Sequence, residues 1–123
     1  MPKHILIIEN EVDIREILQE FFESEGFNVS TAEHGLEALE TLERILRPDV
    51  ILLDLMMPVM CGAEFIEHKS KNAVWKDIPV VVMSAADKKR QESMNLGNHW
   101  EIQKPLQLDD LITVIAKAQS NET

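Results

Sequence analysis

Apolar residues fall along the chain in two alternating kinds of run. Ile5-Leu6-Ile7-Ile8 is short, continuous and rich in β-branched residues, the pattern of a strand covered on both faces. Ile14, Ile17, Leu18, Phe21 and Phe22 then recur at helical spacing and predict an amphipathic helix that Gly26 stops. Phe27-Asn28-Val29-Ser30-Thr31 predicts a second strand. Leu36, Leu39, Leu42 and Leu46, with Ala38 and Ile45, predict a second helix closed by Arg47-Pro48, because a residue before proline is driven out of the helical region. Val50-Ile51-Leu52-Leu53 is a third strand, again continuously apolar. A short helix follows from Gly62 to Lys69 with Phe65 and Ile66 inward, then a fourth strand from Ile78 to Met83. A helix from about Asp87 to Leu96 and a weaker strand from His99 to Gln103 come next. Leu108, Leu111, Ile112 and Ile115 stripe a last helix, with Asp109 and Asp110 in its first turn, where the macrodipole favours anions.

Five strands alternating with five helices predict an α/β fold, a doubly wound parallel sheet covered on both faces. The 123 residues suit one domain, residues 1–123 with a core of about 3–118, and no repeat or low-complexity linker divides them. In open parallel sheets ligands bind outside the carboxyl ends of the strands. The residues expected there are Glu9, Asn10 and Glu11 after the first strand, Asp54 after the third, Ser84 after the fourth and Lys104 after the fifth. An acid that ends a buried apolar strand, as Asp54 does, is a metal ligand, a nucleophile or a turn cap, and its local sequence leaves all three open.

Charge narrows the partners. The chain has 22 Asp and Glu against 12 Lys and Arg, a formal net charge of −10. Neutralising phosphates takes clustered cations, so direct nucleic-acid binding is excluded, and docking on anionic membranes is disfavoured for the same reason. No apolar run approaches the ~20 residues needed to span a bilayer, and Met1-Pro2-Lys3 leads straight into a strand, not a signal peptide. The single cysteine, Cys61, forms no internal disulfide and fits a reducing cytoplasm. His4, His34, His68 and His99 are scattered without ligand spacing, which argues against a transition-metal site. Glu16, Glu20, Glu23, Glu37, Glu40 and Glu43 fall on solvated helix faces, where they specify nothing. No G-x-x-x-x-G-K-[ST] loop or G-x-S-x-G elbow marks an enzyme.

Val50-Ile51-Leu52-Leu53-Asp54-Leu55-Met56-Met57-Pro58, with Gly62 following, resembles the phosphoacceptor segment of response-regulator receiver domains, the chemotaxis-type fold of two-component signalling. Lys104-Pro105 resembles that family's Lys-Pro pair, and Met83-Ser84-Ala85 its Ser/Thr-Ala step. The spacing from Gly97 to Lys104 fits as well, so the resemblance covers the chain from Lys3 to about Ala118. It implies a flavodoxin-like strand order of 2-1-3-4-5. It further implies that Asp54 accepts a phosphoryl group from a histidine kinase or phosphotransfer protein, with no turnover chemistry beyond self-catalysed phosphorylation and dephosphorylation. Mg²⁺ would be held by Glu9, Asn10, Asp54 and the backbone carbonyl of Met56. Lys104 would pair with a phosphoryl oxygen as a point charge, and Ser84 would hydrogen-bond another as the switch begins.

Two departures from the family pattern bear on function. Receivers usually carry two acids after the first strand, the second a direct metal ligand; here the matching positions are Glu9-Asn10, and a neutral amide predicts weaker Mg²⁺ binding. Three positions before the family lysine the usual Tyr or Phe is replaced by Glu101, so the aromatic half of the usual coupling is absent. Two readings compete: a phosphorylatable receiver that switches contacts with a downstream protein, and a pseudo-receiver that keeps the fold as a phosphorylation-independent interaction module.

Overall fold

The structure, a computed structural model, describes residues 3–54, 62–84, 100–103 and 108–120. Its elements run β1 (His4–Ile8), α1 (Val12–Ser24), β2 (Asn28–Ala32), α2 (Gly35–Arg44), β3 (Val50–Asp54), α3 (Gly62–Ser70), β4 (Val80–Ser84), β5 (Trp100–Gln103) and α4 (Leu108–Ser120). The strands form one parallel sheet in the order β2-β1-β3-β4-β5. The helix expected at about Asp87 to Leu96 lies outside the described residues.

Alternate residues of β1, β3 and β4 feed two cores. Leu6, Ile8, Ile51, Leu53, Val80 and Val82 face one way, against Ala38 and Leu42 of α2 and Phe65 of α3. Ile5, Ile7, Leu52, Val81 and Met83 face the other, against Leu18 and Phe22 of α1 and Leu111 and Ile115 of α4. A strand covered on both sides has no solvated face to mark with polar residues. That is why β1, β3 and β4 read as unbroken apolar runs.

Two boundaries differ from the sequence expectation for a clear local reason, those of α2 and β4. Helix α2 stops at Arg44, because Ile45 is already extended (φ −107°, ψ 164°) with its N–H on the Thr41 carbonyl at 3.1 Å. Leu46, expected on the helix stripe, is instead 87% exposed in the loop before Pro48. Strand β4 begins at Val80 and not Ile78. Pro79 has no N–H for the ladder and only accepts, from Ile51 at 3.0 Å, while the Ile78 N–H closes a turn onto Trp75. Helix α1 starts at Val12, with Glu11 as the residue that precedes its first turn and Asp13 as the acid inside it.

The end of α1 follows from Gly26. Its φ of +93° lies in the left-handed region, the Gly26 N–H bonds to the Glu23 carbonyl, and the Phe27 N–H reaches the Phe22 carbonyl. The Phe22 and Phe27 rings then meet edge to face at 5.2 Å, the apolar contact that accompanies this kind of helix end. A Cβ at position 26 would meet nothing within 4 Å, so only the backbone resists a larger residue. Gly26→Ala is therefore expected to destabilise the fold by about 1 kcal/mol, read from the midpoint of urea unfolding at unchanged slope.

Among the described residues one cation sits inside. Lys69 falls one helical turn after Phe65, on the inward stripe of α3, and is 2% exposed. Its Nζ donates to the Lys76 carbonyl at 3.1 Å, tying the end of α3 to the turn before β4. Burial lowers the ammonium from its ordinary 10.5 to about 8; Asp77 nearby acts against the shift and Arg47 adds to it.

Candidate functional site

The strand ends bring the acids together. Ile8 pairs with Leu53, so Glu9 and Asp54 each come next on the two neighbouring central strands. Asp54 ends β3 opposite Met83, one residue before Ser84, and Ser84 lies opposite Gln103, the residue before Lys104. Glu9, Asp54 and the backbone of Ser84 thus share one rim. Lys104, Met56 and Cys61 lie outside the described residues.

Glu9 and Asp54 are both buried. The main chain of Glu9 extends the sheet by one bond, its N–H donating to the Ala32 carbonyl at 3.0 Å. Its carboxylate turns toward the start of α1, where Oε2 accepts from the Glu11 N–H at 3.1 Å. Unpaired amide groups and the positive end of the helix dipole favour an anion there. Asn10 occupies the exposed bend between β1 and α1, and Glu11 is exposed too. The side chain of Glu11 makes no capping hydrogen bond.

Two residues that the sequence reading passed over complete the rim. Arg15, one turn into α1, donates from Nη1 to the Glu9 carbonyl at 2.8 Å and lies 3.6 Å from the Glu33 carboxylate through Nη2. Glu33 belongs to the turn that starts α2. Its N–H donates to Glu37 Oε1, and the Glu37 N–H in turn donates to Nδ1 of His34, the capping residue. The imidazole takes the place that a capping hydroxyl usually has, and the Glu37 carboxylate reaches back to the residue before the cap. Arg15 follows Ile14 and its spacing carries no signal that sets it apart from other helix-face cations, so only the fold reveals its target.

Among the described residues no group of three or more His, Cys, Asp or Glu side chains gathers as a metal cluster. The donors that are gathered, Glu9 and Asp54, are carboxylates, which suit a hard cation such as Mg²⁺ and not a metal that prefers thiolate or imidazole. Two like charges on neighbouring strand ends gain from a divalent cation between them. Among the described residues no helix is long and apolar enough to cross a membrane.

Comparison with known proteins places this geometry. Residues 5–116 match the response regulator receiver domain family. The chain is 34% identical over 119 residues to sporulation initiation phosphotransferase F of Bacillus subtilis, covering 95% of this chain and 94% of that protein. It is 32% identical over 117 residues to the probable transcriptional regulator ycf29 of Pyropia yezoensis, covering 94% of this chain but only 52% of that protein, so it spans about half the length of that relative. Among solved structures, the receiver domain of a sensor histidine kinase from Pseudomonas aeruginosa, with magnesium coordinated in its active-site cleft, superposes with a TM-score of 0.88. That match has 20% sequence identity and covers 98% of this chain and all of that one, a likeness of fold. The two buried acids at the ends of β1 and β3 therefore stand in a known frame: the chain belongs to the response regulator receiver domain family of two-component signalling.

Proposed function

We propose that Asp54 accepts a phosphoryl group from a histidine kinase or phosphotransfer protein, and that the modified domain changes its contacts with a downstream protein. The observation that carries this reading is the pair of buried carboxylates, Glu9 and Asp54, at the ends of two adjacent central strands. A carboxylate oxygen of Asp54 attacks phosphorus, the bond from phosphorus to the donor's nitrogen or oxygen breaks, and an acyl phosphate remains. Charge neutralisation matters more than proton transfer in such a reaction. Glu9, Asp54, the Asn10 amide oxygen and the Met56 carbonyl would hold Mg²⁺, which supplies that neutralisation when bound. Lys104 answers another phosphoryl oxygen as a point charge, and Ser84 hydrogen-bonds a third. The sheet fixes Asp54; the helix-start amide at Glu11 fixes Glu9.

The test is incubation of the protein with Mg²⁺ and acetyl phosphate followed by intact-mass measurement. A single phosphoryl adduct that EDTA prevents supports the reading. No adduct at any metal concentration replaces it with the pseudo-receiver, a module that binds partners without phosphate, which the neutral Asn10 favours.

Asn10 also sets a graded expectation. Asn10→Asp restores a third acid to the rim, at an exposed position where the new charge costs little to solvate. Mg²⁺ affinity is expected to rise about tenfold, as suits one more carboxylate ligand to a hard cation, measured by calorimetry. An unchanged affinity would show that position 10 does not face the metal.

A further inference from the structure

The proposed metal site leaves Arg15 unused, although it holds the main chain of the acid rim. It is half of a small network: Nη1 holds the Glu9 carbonyl at 2.8 Å, and Nη2 lies 3.6 Å from Glu33, whose backbone N–H is bound by the acid that also begins α2. The geometry of the sheet explains why the first contact matters. The Glu9 N–H still finds a ladder partner in Ala32, but β2 ends at Ala32, so no strand residue is left to take the Glu9 carbonyl. Arg15 takes it instead. The chain direction at Glu9, and with it the aim of the Glu9 carboxylate and of Asn10, is set by a guanidinium from α1 that is only 14% exposed.

We propose that Arg15 is the positioning residue of the acid loop, and that it couples occupancy of the metal site to the first turn of α2 through Glu33. The first half of the proposal rests on the hydrogen-bond network alone, and the second rests also on the metal reading above. Arg15 touches no ligand in this role. It acts through the main chain of Glu9, as residues behind a metal site commonly do.

The sign of one measurement separates this role from plain electrostatics. A positive charge near a cation site opposes the cation, so loss of charge alone tightens Mg²⁺. Loss of the clamp loosens it. Arg15→Met, which keeps the apolar stem, is expected to weaken Mg²⁺ binding about tenfold by calorimetry at a temperature where the variant is folded. Arg15→Lys, able to reach one carbonyl but not two partners, recovers part of the affinity. Glu33→Gln changes it less than twofold, since an exposed pair at 3.6 Å contributes little. In amide hydrogen exchange without metal, Arg15→Met accelerates exchange at Glu11 and Glu33 together, the two amides whose acceptors lie at either end of the network. In wild type, added Mg²⁺ slows exchange at Glu33 and Glu37, and Arg15→Met abolishes that protection.

Tighter or unchanged Mg²⁺ binding in Arg15→Met overturns the positioning role. Should wild type bind no Mg²⁺, the phosphoacceptor reading falls separately. Arg15 is then decided by exchange alone: faster at both Glu11 and Glu33 upholds the clamp, and unchanged rates refute it.

Discussion

Asp54→Asn is expected to carry no phosphoryl adduct after incubation with Mg²⁺ and acetyl phosphate, while wild type carries one. The amide is nearly the size of the carboxylate, so the buried strand end keeps its packing and the sheet its register with Met83. What is lost is the nucleophile, because an amide oxygen does not form a stable acyl phosphate. Glu9 does not replace it. Its carboxylate is held on the Glu11 N–H at the start of α1, one oxygen committed to a backbone bond. The loss is therefore complete, more than about 100-fold in adduct yield, which is the scale on which removing an attacking group is felt. Intact mass gives the yield and a melting curve confirms the fold. An adduct persisting in the folded variant would move the acceptor to another residue and sink the assignment of Asp54.

The second large effect concerns Lys69 and pH. Its folded pKa, about 8, lies below its ordinary 10.5, chiefly because burial penalises the ammonium. Below pH 8 the group is charged in both states, and the fold bears the whole cost of burying it. Between pH 8 and 10.5 the unfolded chain binds the proton and the folded chain does not, so stability rises with pH through that window. At 1.36 kcal/mol per unit the displacement is worth about 3 kcal/mol, and solvent screening at the rim where Arg47 and Asp77 sit reduces the expected gain to about 2 kcal/mol. Lys69→Met removes this rise. It is also expected to equal or exceed wild type in stability at pH 7, as an apolar chain of similar length needs no partner. Urea unfolding of both proteins at pH 7 and 9.5 checks it, and parallel pH dependences would refute the assignment.

The architecture was legible where one physical cause dominates. Continuous β-branched runs marked β1 and β3 because helices cover both faces of the sheet, and Gly26 marked the end of α1 because the turn there needs a left-handed residue. Legibility failed where two causes compete. Leu46 sits at helical spacing, yet the chain leaves the helix at Ile45. Lys69 occupies an apolar stripe position with a charged head that finds a carbonyl seven residues on. Ile78 looked like strand, but Pro79 cannot donate to the ladder. The placement of Glu9, Asp54 and the Ser84 backbone at one rim was readable because it follows from the order of parallel strands alone. Arg15 and Glu33 were not, because nothing short of the folded chain brings the Glu9 carbonyl and the residue after β2 to the same guanidinium.

The parallel topology also governs when the site can exist. β1 and β3 meet across a long stretch of chain, with the His4 N–H bound to a carboxylate 45 residues away, and every pairing in the sheet is parallel, so none closes through a hairpin. Closing such loops delays folding, since the entropy is spent before the contacts form. Glu9 and Asp54 ride on those two strands, so a nascent chain still short of β3 holds only half of the acid pair, and a misassembled chain has the acids apart. With Asp54 as the acceptor proposed above, phosphate uptake would double as a readout of completed folding, open only to a molecule that has placed β3 beside β1.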